Sequence, residues 1–396
     1  MITKALIVKV ASRCNLNCTY CYMYNMGDES YKIQPKFMSL EIVKSMFIRI
    51  KNHCIKNNLN KFLIVFHGGE PLLCDIDFYK NFINIQKEIL PKNIIIDYAM
   101  QTNGVLLTYE LANELKALQI QVGISLDGTE ISNNKNRIYH NGNGSYKEIL
   151  KGFEILKETF GNDYANCLCV INTDENPEFV YNHFKKIGAS NVHFLFQDYN
   201  YLTANVDNVP KVGDWLSQMY NIWYNDEDED KPSLRPLTDL ISLMFDFNRF
   251  SEIFGKGYND VLVIETNGSI ETVDTLKICG DKFTKTTFNV QNDNLDEIYK
   301  NSELAKLYYN AHHELCEKCQ RCPIESICGG GFLGHRYSKE KEFDNPSVYC
   351  KEIIKIISHI QNRVIDNLSI ESITTNKIEK LNSKEIINYL YDEISN

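Results

Sequence analysis

Short apolar runs of strand length alternate with amphipathic segments of helix length from the N-terminus to about residue 225. In the amphipathic segments, the apolar residues recur at the spacing of one helical face. Strand, helix and strand repeated in this way are typical of a parallel sheet with helical crossovers. The predicted strands are 5–10, 62–66, 94–100, 121–125, 166–171 and 192–196.

The predicted helices lie between these strands, and two of them start after a serine. Ser39 would cap a helix at 40–53. Ser145 would cap a helix at 146–159, and Glu148 would complete a capping box there. The other predicted helices are 78–89, 109–118 and 178–187.

Five consecutive acidic residues at 226–230 interrupt the alternation. Adjacent carboxylates repel one another and stay in solvent, so we predict a loop that ends the first domain. Beyond it, the apolar stretches 261–265 and 269–273 flank Asn267-Gly268, a pair typical of a hairpin turn. The predicted parts are an α/β domain at 1–230, a smaller domain at 231–355 and a helical tail at 356–396.

Length and charge set bounds on the domain count and the partners. A chain of 396 residues suits two domains. The formal net charge of −10 disfavours nucleic acid or an anionic membrane surface as a partner, because both attract basic patches. No signal sequence precedes the first strand, and no apolar run reaches the roughly 18 residues of a membrane span. We therefore expect a cytoplasmic protein.

Thirteen cysteines are unusual for a cytoplasmic chain, where disulfides are rare, so metal ligands explain the clustered ones better. Cys14, Cys18 and Cys21 follow the first predicted strand. Three thiolates are one short of a closed metal site, which leaves one metal corner open to a non-protein ligand. The alternatives are a zinc knuckle with a distant fourth ligand, or thiols without a role. Five scattered cysteines are expected in the core: Cys54, Cys74, Cys167, Cys169 and Cys279.

Polar or glycine-rich segments follow the second, third and fourth predicted strands. Gly68 and Gly69 follow the second strand, and without side chains they let backbone carbonyls approach a ligand amino group. The carboxyl ends of parallel strands meet at one edge of a sheet, so these segments should line one cleft. Its other candidate residues are Glu70, Gln101, Asn103, Ser125, Asp127 and Arg137. A surface ion pair is the alternative for Arg137.

The spacing Cys14-x3-Cys18-x2-Cys21 resembles the signature of radical S-adenosylmethionine (SAM) enzymes. The resemblance implies an α/β fold built on an open, partial (β/α)6 barrel, with a 4Fe–4S cluster on the three thiolates. In that family the open iron chelates the amino and carboxylate groups of SAM. An electron from the cluster then cleaves SAM to give a 5′-deoxyadenosyl radical.

The same resemblance implies roles for the residues around the cysteines. Tyr20, directly before the third cysteine, would lie against the adenine. The carbonyls of Gly68 and Gly69 would accept from the methionine amino group, with Glu70 in support.

The resemblance also extends to the third and fourth strands. Ser125 and Arg137 would bind the methionine carboxylate, and Asp127 suits the ribose hydroxyls. Gln101 and Asn103 would contact the cofactor or the substrate.

The late cysteines resemble the SPASM extension of radical peptide maturases, which in its full form binds two auxiliary 4Fe–4S clusters. The resemblance implies a complete ligand set for one of them. A structural zinc ribbon is the alternative, because four thiolates also bind zinc well. The four ligands would be Cys319, Cys322, Cys328 and Cys350.

The other auxiliary cluster is expected to be absent. Two of its ligand positions fall on Phe332 and Val273, and no cysteine lies between Cys169 and Cys279. Cys279 and Cys316 are then left over as plain thiols or substitute ligands. The chain is thus expected to hold two 4Fe–4S clusters in all.

Asp274 follows the lost ligand position in the predicted hairpin. It aligns with an aspartate that sulfatase-maturing relatives use as general base, and Glu265 is the second candidate. A positioned carboxylate would take the substrate proton as the substrate radical is oxidised. The alternative for Asp274 is an acid that faces solvent.

Several joined segments resemble SPASM maturases that build three-residue cyclophanes in ribosomal peptides: 9–16, 67–73, 328–331, 335–338 and 344–350. The resemblance implies loss of a β-hydrogen from one residue of a precursor peptide and bonding of that carbon to an aromatic ring two positions earlier. Its partners would be that peptide and a reductant such as flavodoxin or ferredoxin.

Other functions stay open. Another SPASM maturase would make a thioether, a different carbon link, an epimerised residue or formylglycine in a sulfatase. Formylglycine formation is disfavoured, because enzymes of that kind carry both auxiliary clusters. A different class is a metal-binding scaffold that grips peptides without catalysis.

Overall fold

The computed structural model describes residues 1–245, 247 and 251–392. Residues 246 and 248–250 of the predicted second domain, and 393–396 of the predicted tail, lie outside the described residues. The chain forms two compact units. The first contains Met1–Val170, Ile187–Val192 and Asn259–Tyr309, and the second contains Ile171–Lys186, His193–Tyr258 and Asn310–Asn396.

All six predicted strands and five predicted helices of the α/β part are present, with ends shifted by at most three residues. The strands are β1 (Ala5–Ala11), β2 (Lys61–Gly68), β3 (Ile95–Thr102), β4 (Ile120–Ser125), β5 (Asn166–Val170), β6 (Asn191–Leu195), β7 (Ser233–Arg235), β8 (Val261–Ile264) and β9 (Ile270–Glu271).

Helices lie in most connections between the strands and recur along the chain after β9. They are α1 (Leu40–Lys56), α2 (Ile76–Ile89), α3 (Tyr109–Ala117), α4 (Glu130–Asn136), α5 (Tyr146–Phe160), α6 (Pro177–Ile187), α7 (Val212–Asn225), α8 (Leu237–Met244), α9 (Ile298–Asn301), α10 (Glu303–Tyr309), α11 (Glu317–Gln320), α12 (Glu325–Cys328), α13 (Cys350–Ile365), α14 (Ile370–Asn376) and α15 (Ser383–Tyr391).

An open, largely parallel sheet forms the centre of the first unit. Its strand order is β5-β4-β3-β2-β1-β8-β9, and neighbours from β5 to β8 run parallel. The register sets Lys9 of β1 opposite His67 of β2, so the loops after these strands leave from one edge. The predicted α/β class with an open parallel core is confirmed.

The hairpin of β8 and β9 is present as predicted, with Ile264 opposite Ile270. The hairpin lies in the first unit, whereas the predicted boundaries at residues 230 and 355 assign it to the second domain. β8 pairs in parallel with β1, Ala5 lying opposite Val261, so residues 259–309 belong to the first unit. β8 pairs with the free edge of β1, a pairing that chain order alone does not reveal.

Of the two predicted serine caps, one is present and the other is absent. Ser39 caps α1, and its hydroxyl accepts from the backbone amide of Ile42. Ser145 precedes α5 but makes no side-chain cap, so the predicted capping box with Glu148 is wrong. The Ser145 hydroxyl instead donates to the carbonyl of Arg137 at 2.7 Å, because this serine is buried against the loop after α4.

The second unit is mainly helical. α7 and α13 pack closely where Gly213 meets the backbone of Glu352, whose carboxylate accepts from the Gly213 amide at 2.8 Å. The predicted tail is helical through α14 and α15 within the described residues. Among all the residues that the structure describes, no helix is long and apolar enough to cross a membrane.

Candidate active site and auxiliary thiol site

The loop after β1 carries Cys14, Cys18 and Cys21, all partly exposed. The Cys14 sulfur accepts from the amide of Leu16 at 3.3 Å and from the side-chain amide of Asn103 at 3.8 Å. Burial raises the pKa of Cys21 to about 11 and that of Cys14 still further. The thiols are therefore protonated at neutral pH in the free protein, and a bound metal would supply the charge that ionises them.

Gly68 and Gly69 bring the end of β2 against this cysteine loop. A β-carbon on Gly69 would lie 2.1 Å from the Tyr24 hydroxyl and 2.3 Å from the Arg13 carbonyl. The Gly69 amide donates to the carbonyl of Ala11 at 2.8 Å. The glycines thus fix the position of the cysteine loop, a role in addition to the predicted contact with a ligand.

Glu70 is buried and joins the ends of β2 and β3. Its carboxylate accepts from the amides of Leu72 and Asn103 at 2.9 and 2.8 Å and from the Thr102 hydroxyl at 2.6 Å. These bonds hold the third-strand loop beside Cys14. They satisfy much of the hydrogen-bonding capacity of the carboxylate, and its support of the methionine amino group stays a prediction.

Tyr20, Asp127 and Arg137 form one cluster. The Tyr20 hydroxyl donates to Asp127, whose other oxygen lies 3.1 Å from Nε of Arg137 and accepts from the Val170 amide at 3.0 Å. The guanidinium lies 5.7 Å from the centre of the Tyr20 ring. Arg137 is buried, so its ion pair is not a surface one. An aromatic face, an acid and a guanidinium therefore meet beside Cys18.

The amide side chains after β3 face two different neighbours. Gln101 donates to the Ser125 hydroxyl at 2.9 Å, and Asn103 donates to the Asn15 side chain at 2.8 Å. The structure therefore brings the strand ends of β3 and β4 together with the cysteine loop. The assignment of these residues to the cofactor or substrate stays a prediction.

Asp274 is the first residue of a 3-10 helix, Asp274–Cys279, and is buried rather than facing solvent. It forms an ion pair with Lys9 and accepts from the Tyr22 hydroxyl at 2.8 Å. Lys9 also contacts Nδ1 of His67 at 2.9 Å. Burial disfavours the charge, but Lys9, His67 and the hydrogen bonds hold the pKa of Asp274 below its usual range.

The sequence analysis missed Lys9, Tyr22 and His67. A signal was present for Lys9, because a charged residue inside an apolar strand needs a buried partner. Its partner lies 265 positions further along the chain, where local pattern gives no indication of the pairing.

Glu265, the second candidate base, belongs to a different buried cluster. It lies 2.9 Å from Lys277, and Asp28 and Glu271 each lie 3.7 Å from the same ammonium group. Burial and the neighbouring Glu265 raise the pKa of Glu271 to about 7. Lys277 thus balances part of the charge of three carboxylates.

In the second unit, the four predicted auxiliary ligands line one pocket. Cys319 lies in α11, Cys328 ends α12 and Cys350 begins α13. In the described residues, no three His, Cys, Asp or Glu side chains converge on one point as the ligands of a single ion do. The cavity is lined by Lys318, Cys319, Cys322, Ile324, Glu325, Cys328, Gly330, Cys350, Ile354 and Leu390.

Arg336 is buried and contacts Gly330, which lines this cavity. Its guanidinium donates to the carbonyls of three successive glycines, Gly329 at 3.1 Å, Gly330 at 2.9 Å and Gly331 at 2.8 Å. All three glycines have positive φ, so the loop after Cys328 turns its carbonyls inward to this cation. Within the described residues, no carboxylate lies at ion-pair distance from Arg336. Four thiolates would supply the missing negative charge.

The positions of the expected missing cluster are apolar. Val273 and Phe332 are both buried, each in its own unit. Cys279 is buried at the end of the 3-10 helix that Asp274 begins. Cys316 lies beside Cys319, whose thiol hydrogen bond lowers the pKa of Cys316 to about 6.

Residues 8–185 match the sequence profile of the Radical SAM superfamily. This chain contains a radical SAM domain. The match covers β1 to α6 and therefore includes the cysteine loop, the glycine pair and the cluster of Tyr20, Asp127 and Arg137.

One known relative is similar over most of the chain, and another over less than half of it. A cysteine-type anaerobic sulfatase-maturating enzyme of Clostridium novyi is 28% identical over 357 residues, which cover 87% of this chain and 92% of that protein. The radical SAM cyclopropyl synthase TigE of Paramaledivibacter caminithermalis is 31% identical over 183 residues, or 43% of this chain and 36% of that protein.

Solved structures share the fold. The enzyme anSMEcpe with bound AdoMet and the Kp18Cys peptide superposes with a TM-score of 0.76 at 24% identity, covering 94% of this chain and 99% of that one. Streptococcus suis SuiB bound to its precursor peptide SuiA gives a TM-score of 0.53 at 13% identity, covering 87% and 74%.

A radical SAM domain implies a 4Fe–4S cluster and SAM, and the residues of the first unit fit both. Three partly exposed thiols lie on one loop, with an aromatic ring and a guanidinium beside them. The cavity of the second unit fits a further cluster, because four thiols line it and the buried cation Arg336 holds the carbonyl of Gly330, which also lines it. That second fit is a proposal.

Proposed function

We propose that this chain is a cytoplasmic peptide maturase that forms three-residue cyclophanes in a ribosomally made precursor peptide. The observation that carries the proposal is a radical SAM domain combined with one complete set of four thiols, while Val273 and Phe332 are buried and apolar. One auxiliary cluster is enough for a reaction in which the substrate radical gives up a single electron. The peptide substrate is also suggested by the fold shared with SuiB, whose structure holds a precursor peptide.

When bound, the first cluster and SAM supply the 5′-deoxyadenosyl radical, and the second cluster supplies an electron acceptor. In the proposed site, Cys14, Cys18 and Cys21 hold the first cluster, and Arg137 and Ser125 orient the methionine carboxylate. Cys319, Cys322, Cys328 and Cys350 hold the second.

Asp274 is proposed as the base that removes the ring proton when the crosslink regains its aromatic character. Lys9 and Tyr22 keep its carboxylate ionised and fixed. His67, which contacts Lys9, offers a route by which the proton leaves: Asp274 returns it to Lys9 as Lys9 passes one to Nδ1 of His67.

Formylglycine formation is the second candidate, because the Clostridium novyi sulfatase-maturating enzyme is similar over 92% of its length. The apolar residues at Val273 and Phe332 favour the crosslink, since by resemblance the formylglycine enzymes use both auxiliary clusters. The two functions give chemically different products.

The test is co-expression with the precursor encoded by a neighbouring short open reading frame, followed by mass spectrometry of the peptide. We expect a loss of two hydrogen atoms per link, with fragment ions missing between the linked residues. A Cys14→Ala variant is the control and should leave the peptide unchanged.

Other outcomes identify other functions. An aldehyde that reacts with a hydrazide indicates formylglycine, and a blocked cysteine thiol indicates a thioether. Unchanged mass with an inverted α-carbon indicates epimerisation. If the peptide is unmodified and no 5′-deoxyadenosine forms, the result supports the non-catalytic scaffold.

A further inference from the structure

The last described helix, α15, returns to the auxiliary thiols. Leu390 lines their cavity and is 2% exposed. The start of the helix is anchored on α13, because the Asn362 side chain exchanges two hydrogen bonds of 2.8 Å with the backbone of Leu381. Asn382 then caps α15 through the amides of Lys384 and Glu385. Residues 381–391 therefore have a defined place in the second unit.

Two lysines hold the ring of Tyr391 at the end of this helix. Nζ of Lys318 lies 3.7 Å from the ring centre and Nζ of Lys351 lies 4.9 Å from it. Each lysine is the chain neighbour of a thiol, Cys319 and Cys350 respectively. Cation–π contacts attract the ammonium groups to the ring, so the ring is tied to the segments that carry the thiols.

The Tyr391 hydroxyl oxygen is buried, and no group in the described residues satisfies it with a hydrogen bond of ordinary geometry. The Cys350 thiol is its largest electrostatic partner and lies within its hydrogen-bonding reach. A buried hydroxyl without an acceptor destabilises the fold, so an acceptor is expected at this position. Sulfur of a bound cluster, or of the Cys350 thiolate that holds it, would be that acceptor.

We propose that α15 completes the auxiliary site: Leu390 excludes solvent, and the Tyr391 hydroxyl donates a hydrogen bond to a sulfur atom of the cluster or its Cys350 ligand. This inference rests on the proposed auxiliary cluster. Hydrogen bonds to cluster sulfurs favour the more negative, reduced state and so raise the reduction potential. Tyr391 is thus a positioning residue that makes the cluster a better electron acceptor.

The test uses the full chain with Cys14, Cys18 and Cys21 replaced by alanine, so that only the auxiliary site can bind iron. After anaerobic reconstitution, redox titration by electron paramagnetic resonance gives the midpoint potential. We expect Tyr391→Phe to retain the iron and to shift the midpoint to a more negative value. Tyr389→Phe is the matched control on the same helix, because Tyr389 is 46% exposed, and it should leave the midpoint unchanged.

A chain that stops after Leu381 provides a second measurement. It should lose the cluster absorbance faster than the full chain when exposed to air, because Leu390 no longer covers the cavity. An unchanged midpoint in Tyr391→Phe together with an unchanged bleaching rate would overturn the role of α15 alone. A parent protein that binds zinc, or no metal, instead of about four irons would overturn the auxiliary cluster itself, and the inference with it.

Discussion

Lys9 is the residue that gives the candidate base its character. It lies in the middle of β1, and none of its side chain is exposed. A buried ammonium group is tolerated only with partners, and here these are the Asp274 carboxylate and His67. The pairing keeps Asp274 charged over the physiological pH range, so it can accept a proton without first losing one.

Replacing Asp274 with asparagine tests this role. We expect Asp274→Asn to form 5′-deoxyadenosine in the presence of SAM, reductant and peptide, because hydrogen abstraction precedes proton loss. Crosslinked peptide should fall by about 10²-fold or more, the usual contribution of a positioned base. Both products can be measured in one assay by liquid chromatography and mass spectrometry.

Glu265→Gln is the matched control, since Glu265 is equally buried but pairs with Lys277. It should lower the yield of crosslinked peptide much less than Asp274→Asn. The reverse order of the two variants would transfer the role of base to Glu265.

At the scale of elements, the end of β2 positions the cysteine loop. Gly69→Ala would place a β-carbon 2.1 Å from the Tyr24 hydroxyl and against the Arg13 carbonyl. We expect a loss of roughly 1–3 kcal/mol in the free energy of unfolding and less iron bound by the first cluster site. Urea unfolding and iron analysis measure the two effects.

Gly142→Asn is a suitable control for this variant. Gly142 lies in a loop where an added β-carbon meets nothing within 4 Å, and asparagine tolerates its positive φ of 86°. Equal iron loss in both variants would contradict a specific role for the end of β2.

The hairpin and the 3-10 helix enclose the cluster of Glu271, Glu265 and Lys277, which predicts a pH dependence of stability. The folded protein holds the Glu271 proton up to a pKa of about 7, against an ordinary value of 4.5. Because the folded state binds this proton more tightly than the unfolded chain, the free energy of unfolding should fall as the pH rises between these values. The loss attributable to this group is at most about 3 kcal/mol.

Glu271→Gln removes the titrating group but can still accept from Thr284, which donates to Glu271 at 2.6 Å. We expect the urea midpoint of the parent protein to drop between pH 5 and pH 8 by more than that of the variant. Parallel pH profiles for the two proteins would show that the proton on Glu271 does not matter.

For the whole molecule, the expected metal content follows from two separate thiol sets. Anaerobically reconstituted protein should hold about eight irons, and Cys328→Ala should hold about four while still forming 5′-deoxyadenosine. A content near twelve would contradict the interpretation of Val273 and Phe332 as lost ligands. Stoichiometric zinc in the second unit would identify the zinc ribbon.

The sequence by itself determined the strand and helix alternation, the open parallel sheet and the two groups of thiols. These features are local: periodicity fixes which segments are strands, and close spacing keeps Cys14, Cys18 and Cys21 on one loop. Only the tertiary structure decided that β8 extends the sheet beside β1, that Lys9 pairs with Asp274 and that Tyr391 returns to the thiols around Cys350. These contacts join segments far apart in the chain, and they arise because buried strand edges, charges and rings must each find a partner, whose position no local pattern records.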